Sequence, residues 1–182
     1  MTPSLFEGQL VRFRPPDPDK DAEIESAWTH DAEYLRLIEA GPVRPLSPAA
    51  VKKKYEKLEK AENKEFYFAV RLLADDRLIG FARLFWVDLQ HGAAMANLGL
   101  GQPADRGHGY GSDTLRLLLA YAFDELNLHR VGVHTASYNT IAIGFLESHG
   151  FVEEIRNHQA VYRDGQWWDG LGYGLLRTER RV

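Results

Sequence analysis

The 182-residue chain is long enough to bury roughly 70% of the surface its unfolded form would expose, and it carries no cysteine. That absence excludes disulfides, thiolate zinc sites and a cysteine nucleophile, and it predicts a cytoplasmic protein. With 22 Lys and Arg against 26 Asp and Glu, a grip on nucleic acid through its phosphates is not expected. Apolar stretches such as residues 117–122 fall far short of the ~20 residues of a membrane span, and the amino terminus lacks a signal peptide's charged and apolar regions, so a soluble, untargeted chain is predicted.

No repeat, low-complexity tract or long linker divides the chain, which predicts one domain over residues 1–182. An opening strand, residues 9–14, ends at Pro15-Pro16, and an acidic stretch leads into one helical segment holding Ile24, Trp28 and Leu35. Gly41-Pro42 and Pro45 break the chain. Ser47-Pro48 is an N-cap with proline in the first turn, and Val51, Tyr55 and Leu58 follow at helical spacing. The run Lys52-Lys53-Lys54 reads as a solvated face because glutamates at 56 and 59 interleave. Residues 66–73, 78–87 and 95–100 are rich in β-formers and separated by turn residues, which predicts an antiparallel meander. A glycine-rich stretch, a helix over residues 112–126, a strand over 131–136 and a helix over 139–148 with Gly150 as its C-cap come next. A closing hairpin pairs residues 151–162 with 167–176 through Arg163-Asp164-Gly165-Gln166. The order is mixed α/β, with a glycine loop at the carboxyl end of a strand, where such folds bind ligands.

That loop, Arg106-Gly107-His108-Gly109-Tyr110-Gly111-Ser112, opens a long helix. Backbone amides at the helix's positive end form a cradle for an anion, glycines let the backbone approach it, and Arg106 adds a charge for phosphate oxygens. A pyrophosphate suits the site. A Walker A loop would need Gly-Lys-Ser/Thr, and G-x-G-x-x-G fails because its third glycine would be Ser112.

Arg106, Gly109 and Gly111 meet the pattern R/Q-x-x-G-x-G/A, which resembles the coenzyme A pyrophosphate loop of GNAT acetyltransferases. Asn139-Thr140-Ile141-Ala142-Ile143 followed by Gly150-Phe151 is similar to the superfamily's second cofactor segment. Residues 8–14 and the closing hairpin resemble the ribosomal-protein and polyamine acetyltransferase branch. The resemblance implies an α/β (α+β) fold: a mixed, mainly antiparallel sheet with helices on both faces and a V-shaped splay between two parallel strands. It further implies direct transfer of acetyl from acetyl-CoA to a primary amine. Amides near Gly99, Leu100 and Gly101 would meet the pantetheine arm and polarise the thioester, and Asn139 would touch that arm or fix its neighbours, although a plain N-cap explains it nearly as well.

An alkylamine is almost wholly protonated near pH 7, so a general base is sought. Many relatives carry glutamate where this chain has Asn97, which can orient a water but not take a proton, and Leu146 occupies the place of a tyrosine acid. Replacement bases are His134, Tyr138, Asp88 and Glu154; a hydrogen-bonded strand histidine is the plainer account of His134. His108 stands where relatives often have lysine. The histidines and carboxylates lack metal-ligand spacing, so no metal is expected. Trp28, Phe85, Trp86, Trp167 and Trp168 could line an amine pocket or simply the core. Three functions remain: an acetyltransferase for a small amine or polyamine, favoured by an acidic pocket from Asp31, Glu33 or Glu39; one for a protein amine, favoured by an open groove; and a non-catalytic acetyl-CoA-binding module. A homodimer is compatible with exposed strand edges.

Overall fold

A computed structural model describes residues 4–39, 41–61 and 64–180. Seven strands form one sheet in the order β1-β2-β3-β4-β5-β7-β6: β1 Val11–Arg14, β2 Phe66–Leu72, β3 Leu78–Asp88, β4 Ala93–Leu100, β5 Arg130–Ala136, β6 Val152–Arg163 and β7 Gln166–Leu176. All neighbours run antiparallel except β4 and β5. Among the described residues five α-helices cover the sheet: α1 Asp21–Trp28, α2 Ala32–Ile38, α3 Pro48–Glu59, α4 Tyr110–Ala120 and α5 Thr140–Ser148.

The two faces have separate cores, which the period-2 alternation of the strands explains. On one face Leu115, Leu118 and Leu146 of α4 and α5 meet Ala82, Leu84, Ala94, Ala96 and Val131 of the strands. On the other, Trp28, Tyr34 and Leu35 of α1 and α2 pack on Ala69 and Phe81, and α3 adds Val51 and Tyr55. Helices therefore lie on both faces of a mixed, mainly antiparallel sheet, as expected.

Two sequence expectations need correction. The helical segment through Ile24, Trp28 and Leu35 is two helices, because the Asp31 carboxylate caps a new start by accepting from the amides of Glu33 and Tyr34. Ile24 is consequently exposed. The helix expected from residue 112 begins at Tyr110 and ends in a π-helical turn, Tyr121–Glu125. The closing hairpin turns as predicted: Asp164 and Gly165 both have positive φ, 50° and 81°, the signature of a type I′ turn.

The splay is visible in the register. The strands β4 and β5 pair at Ala93–Arg130, Ala94–Val131 and Met95–Gly132 and then part, although β4 continues to Leu100 and β5 to Ala136. Each remains paired on its outer side, β4 with β3 and β5 with β7, so a wedge opens between them.

Candidate active site

A cleft of about 490 Å³ occupies this wedge. The loop Arg106–Ser112 borders it at the amino end of α4. Gly107 and Gly109 have φ of 80° and 83°, a conformation that a side chain resists, and Gly109 is the N-cap itself. Two buried carboxylates hold this geometry. Asp105 takes two hydrogen bonds from Arg77, at 3.0 and 2.6 Å, just before the loop. Asp113, just after it, accepts from the amides of Leu10 and Val11 at 2.8 and 3.1 Å and from Arg116. Burial works against the charge on Asp113, but these donors prevail and hold its pKa below the ordinary carboxylate value. Gly8 is required here, since a Cβ on it would lie 2.2 Å from the Asp113 carboxylate.

Of the residues expected to hold an acyl donor, Gly99, Leu100, Arg106, Gly107, Gly109, Gly111, Ser112 and Asn139 line the cleft. The Arg106 guanidinium has no hydrogen bond or ion pair among the described residues, so its charge is open to an anion. His108 and Tyr110 stand outside the lining, with rings 5.8 Å apart. Gly101 does not offer a free amide: its N–H donates to Ile79 at 2.9 Å, and a Cβ there would strike the Trp28 indole at 2.0 Å. Its glycine serves packing. In an antiparallel ladder amides alternate in direction, so Gly99, paired with Phe81, also points its N–H at β3. The amides of Leu98 and Leu100 turn into the wedge instead.

The expected catalytic side chains divide. His134 is exposed and lines the cleft, its ring 6.4 Å from that of Trp86. Asn97 lines it too, but its amide donates to the Ile38 carbonyl at 3.1 Å. Tyr138 stands outside the lining and gives its hydroxyl to the Arg36 carbonyl at 2.6 Å. Asn139 donates to Leu37 at 3.1 Å while its carbonyl caps α5 through Ala142. The other candidate bases stand outside the lining: Asp88 accepts from the His91 amide, and Glu154 pairs with Arg130. Leu146, buried, leaves an apolar wall where a hydroxyl could have stood.

Tyr34 of α2 also lines the cleft and was not singled out by sequence reasoning. Nothing in its immediate sequence points to the wedge, because the cap at Asp31 decides which residues of α2 face inward. Burial, with Glu25 adding and Arg106 opposing, raises its phenol well above the ordinary value. Of the expected acidic pocket, Asp31 is a helix cap, Glu33 is exposed and Glu39 lies 3.7 Å from Arg83. Among the tryptophans, Trp28 is core, whereas Trp86 is 71% exposed beside His134.

Residues 11–152 match the family model described as an Acetyltransferase (GNAT) domain. The chain is also 34% identical over 183 residues to the Bacillus subtilis (strain 168) protein named Probable N-acetyltransferase YjcK, covering 96% of this chain and 98% of that one. The chain belongs to the GNAT acetyltransferase family. The spermidine N(1)-acetyltransferase of Vibrio cholerae is a further GNAT relative, 28% identical over 69% of this chain and 75% of that one. The crystal structure of spermidine N-acetyltransferase from Vibrio cholerae in complex with CoA and spermine shares the GNAT fold with a TM-score of 0.82, at 23% identity over 93% and 96% of the two chains. Like other GNAT members, this one is an acyltransferase. No helix among the described residues is long and apolar enough to cross a membrane, and no group of His, Asp or Glu among them could hold a metal ion.

Proposed function

We propose that this protein transfers acetyl from acetyl-CoA to the primary amine of a small molecule, a polyamine among the candidates. The observation that carries this reading is the wedge itself, bounded by an anion cradle at one end and by His134 and aromatic side chains at the other.

The residues fit an acyl-CoA. Arg106 and the amides from Gly107 to Ser112 would hold the pyrophosphate, and the Leu98 and Leu100 backbone would pair with the pantetheine arm. Bound acetyl-CoA supplies the thioester. The amine would enter from the face that carries α1 and α2, where the parity of the strands puts Asn97 and His134. There His134 takes the proton from the attacking nitrogen, since Asn97 has no basic site and the Tyr138 hydroxyl is committed elsewhere. Recognition of the acceptor falls to aromatic faces. The exposed Trp86, packed edge-on to Phe85 at 5.2 Å, offers a π-surface to an alkylammonium, while the carboxylates nearby are already engaged by arginines.

The test is acetyl-CoA-dependent thiol release against polyamines, amino sugars, amino acids and short peptides with free amino termini, each beside a no-amine control. Release with a small amine supports the proposal. Release with peptides alone moves the acceptor to protein amino termini, and acetyl-CoA binding with no release from any amine leaves a binding module.

A further inference from the structure

Tyr34 is 4% exposed, and its hydroxyl has no hydrogen-bond partner among the described residues. The oxygen itself reaches the cleft rather than being sealed in protein, so its O–H is free to donate to a ligand there. Its position is specific. A Cβ built on Gly99 would lie 3.1 Å from the Tyr34 oxygen, so the hydroxyl stands over β4 beyond Met95–Gly132, where β4 has already left β5. The next residue, Leu100, turns its amide into the same wedge. Among the described residues lining the cleft Tyr34 is the one phenol, across from the apolar Leu146.

The helix that carries this hydroxyl is held at both ends. Asp31 caps its start. At its close, three successive carbonyls that a helix leaves orphaned are each met by a side chain: Arg36 by Tyr138 at 2.6 Å, Leu37 by Asn139 at 3.1 Å and Ile38 by Asn97 at 3.1 Å. Arg163 continues the series with 3.0 Å bonds to the carbonyls of Glu39 and Gly41. Asn97, Tyr138 and Asn139 are thus positioning residues that fix α2 over the wedge.

We propose that Tyr34 is a catalytic residue whose hydroxyl donates a hydrogen bond to the thioester carbonyl oxygen, beside the Leu100 amide as second donor. The inference rests on the acetyl-transfer reading. As the amine nitrogen's lone pair forms the C–N bond, the carbonyl π pair moves onto oxygen, where both donors meet the charge. The pair then returns, the C–S bond breaks, coenzyme A leaves as thiolate and the ammonium proton passes to His134. Tyr34 keeps its proton throughout. Burial and the charges of Glu25 and Glu39 hold the phenol in its donor form against the opposing Arg106, and preorganised donors of this kind act where charge develops.

The experiment compares wild type with Tyr34→Phe, which keeps the ring packed against Trp28 and strands no partner, so the melting temperature should be retained and acetyl-CoA affinity should fall by no more than about tenfold, the worth of one hydrogen bond. Isotope-edited infrared spectra of bound acetyl-CoA labelled with ¹³C at the thioester carbonyl are the first readout. The wild-type stretch should lie below that of free acetyl-CoA, the variant should recover part of that shift, and kcat should fall about 10²- to 10³-fold. An unchanged carbonyl frequency in the variant overturns the proposal, whether or not kcat falls. A shift that the substitution abolishes, with no thiol release from any amine, keeps the Tyr34 bond and sinks the acceptor reading alone. Failure of wild type to bind acetyl-CoA sinks both.

Discussion

The proposed donor end of the cleft is made from seven consecutive residues, Arg106 to Ser112, whereas the proposed acceptor end is assembled from α2, β3, β4, β5 and the turn before α5. In this reading the loop would act through backbone amides, so its chemistry needs glycine and one arginine rather than particular reactive side chains. The acceptor wall would act through side chains brought together by bonds such as Asn97 to Ile38 and Tyr138 to Arg36, which span 59 and 102 residues of chain. A local device tolerates change around it; an assembled one is sensitive at every joint. The same anion cradle can therefore sit beside many different acceptor walls, which fits a fold whose activities differ in the amine they take.

The largest expected effect lies in the loop. Gly109 has φ of 83° and already stands 3.3 Å from Leu10 at the place where a Cβ would go. Gly109→Val would force a branched side chain into the left-handed region and block the approach of a phosphate. Calorimetric titration should find acetyl-CoA affinity reduced more than 100-fold on the order of the cradle's whole contribution, with the far-ultraviolet circular dichroism of a folded protein. Unchanged affinity would remove the loop from the donor site.

Next comes the proposed proton acceptor. His134→Ala should lower kcat/KM by about 10²-fold, the lower end of general-base contributions. An alanine variant with full rate would leave His134 as a surface strand residue.

This contrast also explains what could be read before folding. Glycines at φ-positive positions and an arginine upstream of a helix are a local signal, so the cradle, the meander and the closing hairpin were legible. The break between α1 and α2 was not, because Ile24, Trp28 and Leu35 fit one helical stripe and only the Asp31 cap ends it. Asn97 and Tyr138 were legible as polar residues near the cleft, but their bonds to α2 carbonyls depend on a helix far away in sequence. Gly101 belongs with them. The family resemblance implied a cofactor amide there, whereas the Trp28 ring pressed against it is a tertiary fact.

A smaller effect would test the joints of the acceptor wall. Removing the Asn97 or Tyr138 bond, as Asn97→Ala or Tyr138→Phe, costs about 1 kcal/mol for a neutral hydrogen bond. Loosening α2, which carries Tyr34, should lower kcat/KM for the amine about fivefold, shared between kcat and KM, and leave the KM for acetyl-CoA near wild type. The reverse split, with acetyl-CoA weakened and the amine unaffected, would make these residues part of the donor site and erase the distinction between the two ends.

The smallest expected change is the sharpest test of why the loop carries its last glycine. Gly111 lies inside α4 with no positive φ, and a Cβ on it would meet nothing closer than Phe145 at 3.7 Å, an ordinary contact. The fold therefore has no need of glycine there, and alanine is the better helix former by about 0.5–1 kcal/mol. Gly111→Ala should raise the melting temperature slightly and leave acetyl-CoA affinity within about twofold, since the loop pattern itself admits alanine at this position and a phosphate there would be met by the amide rather than by a side chain. A loss of affinity well beyond that would place the added methyl in the path of the pyrophosphate, and the last glycine would then be kept for the ligand rather than for the chain.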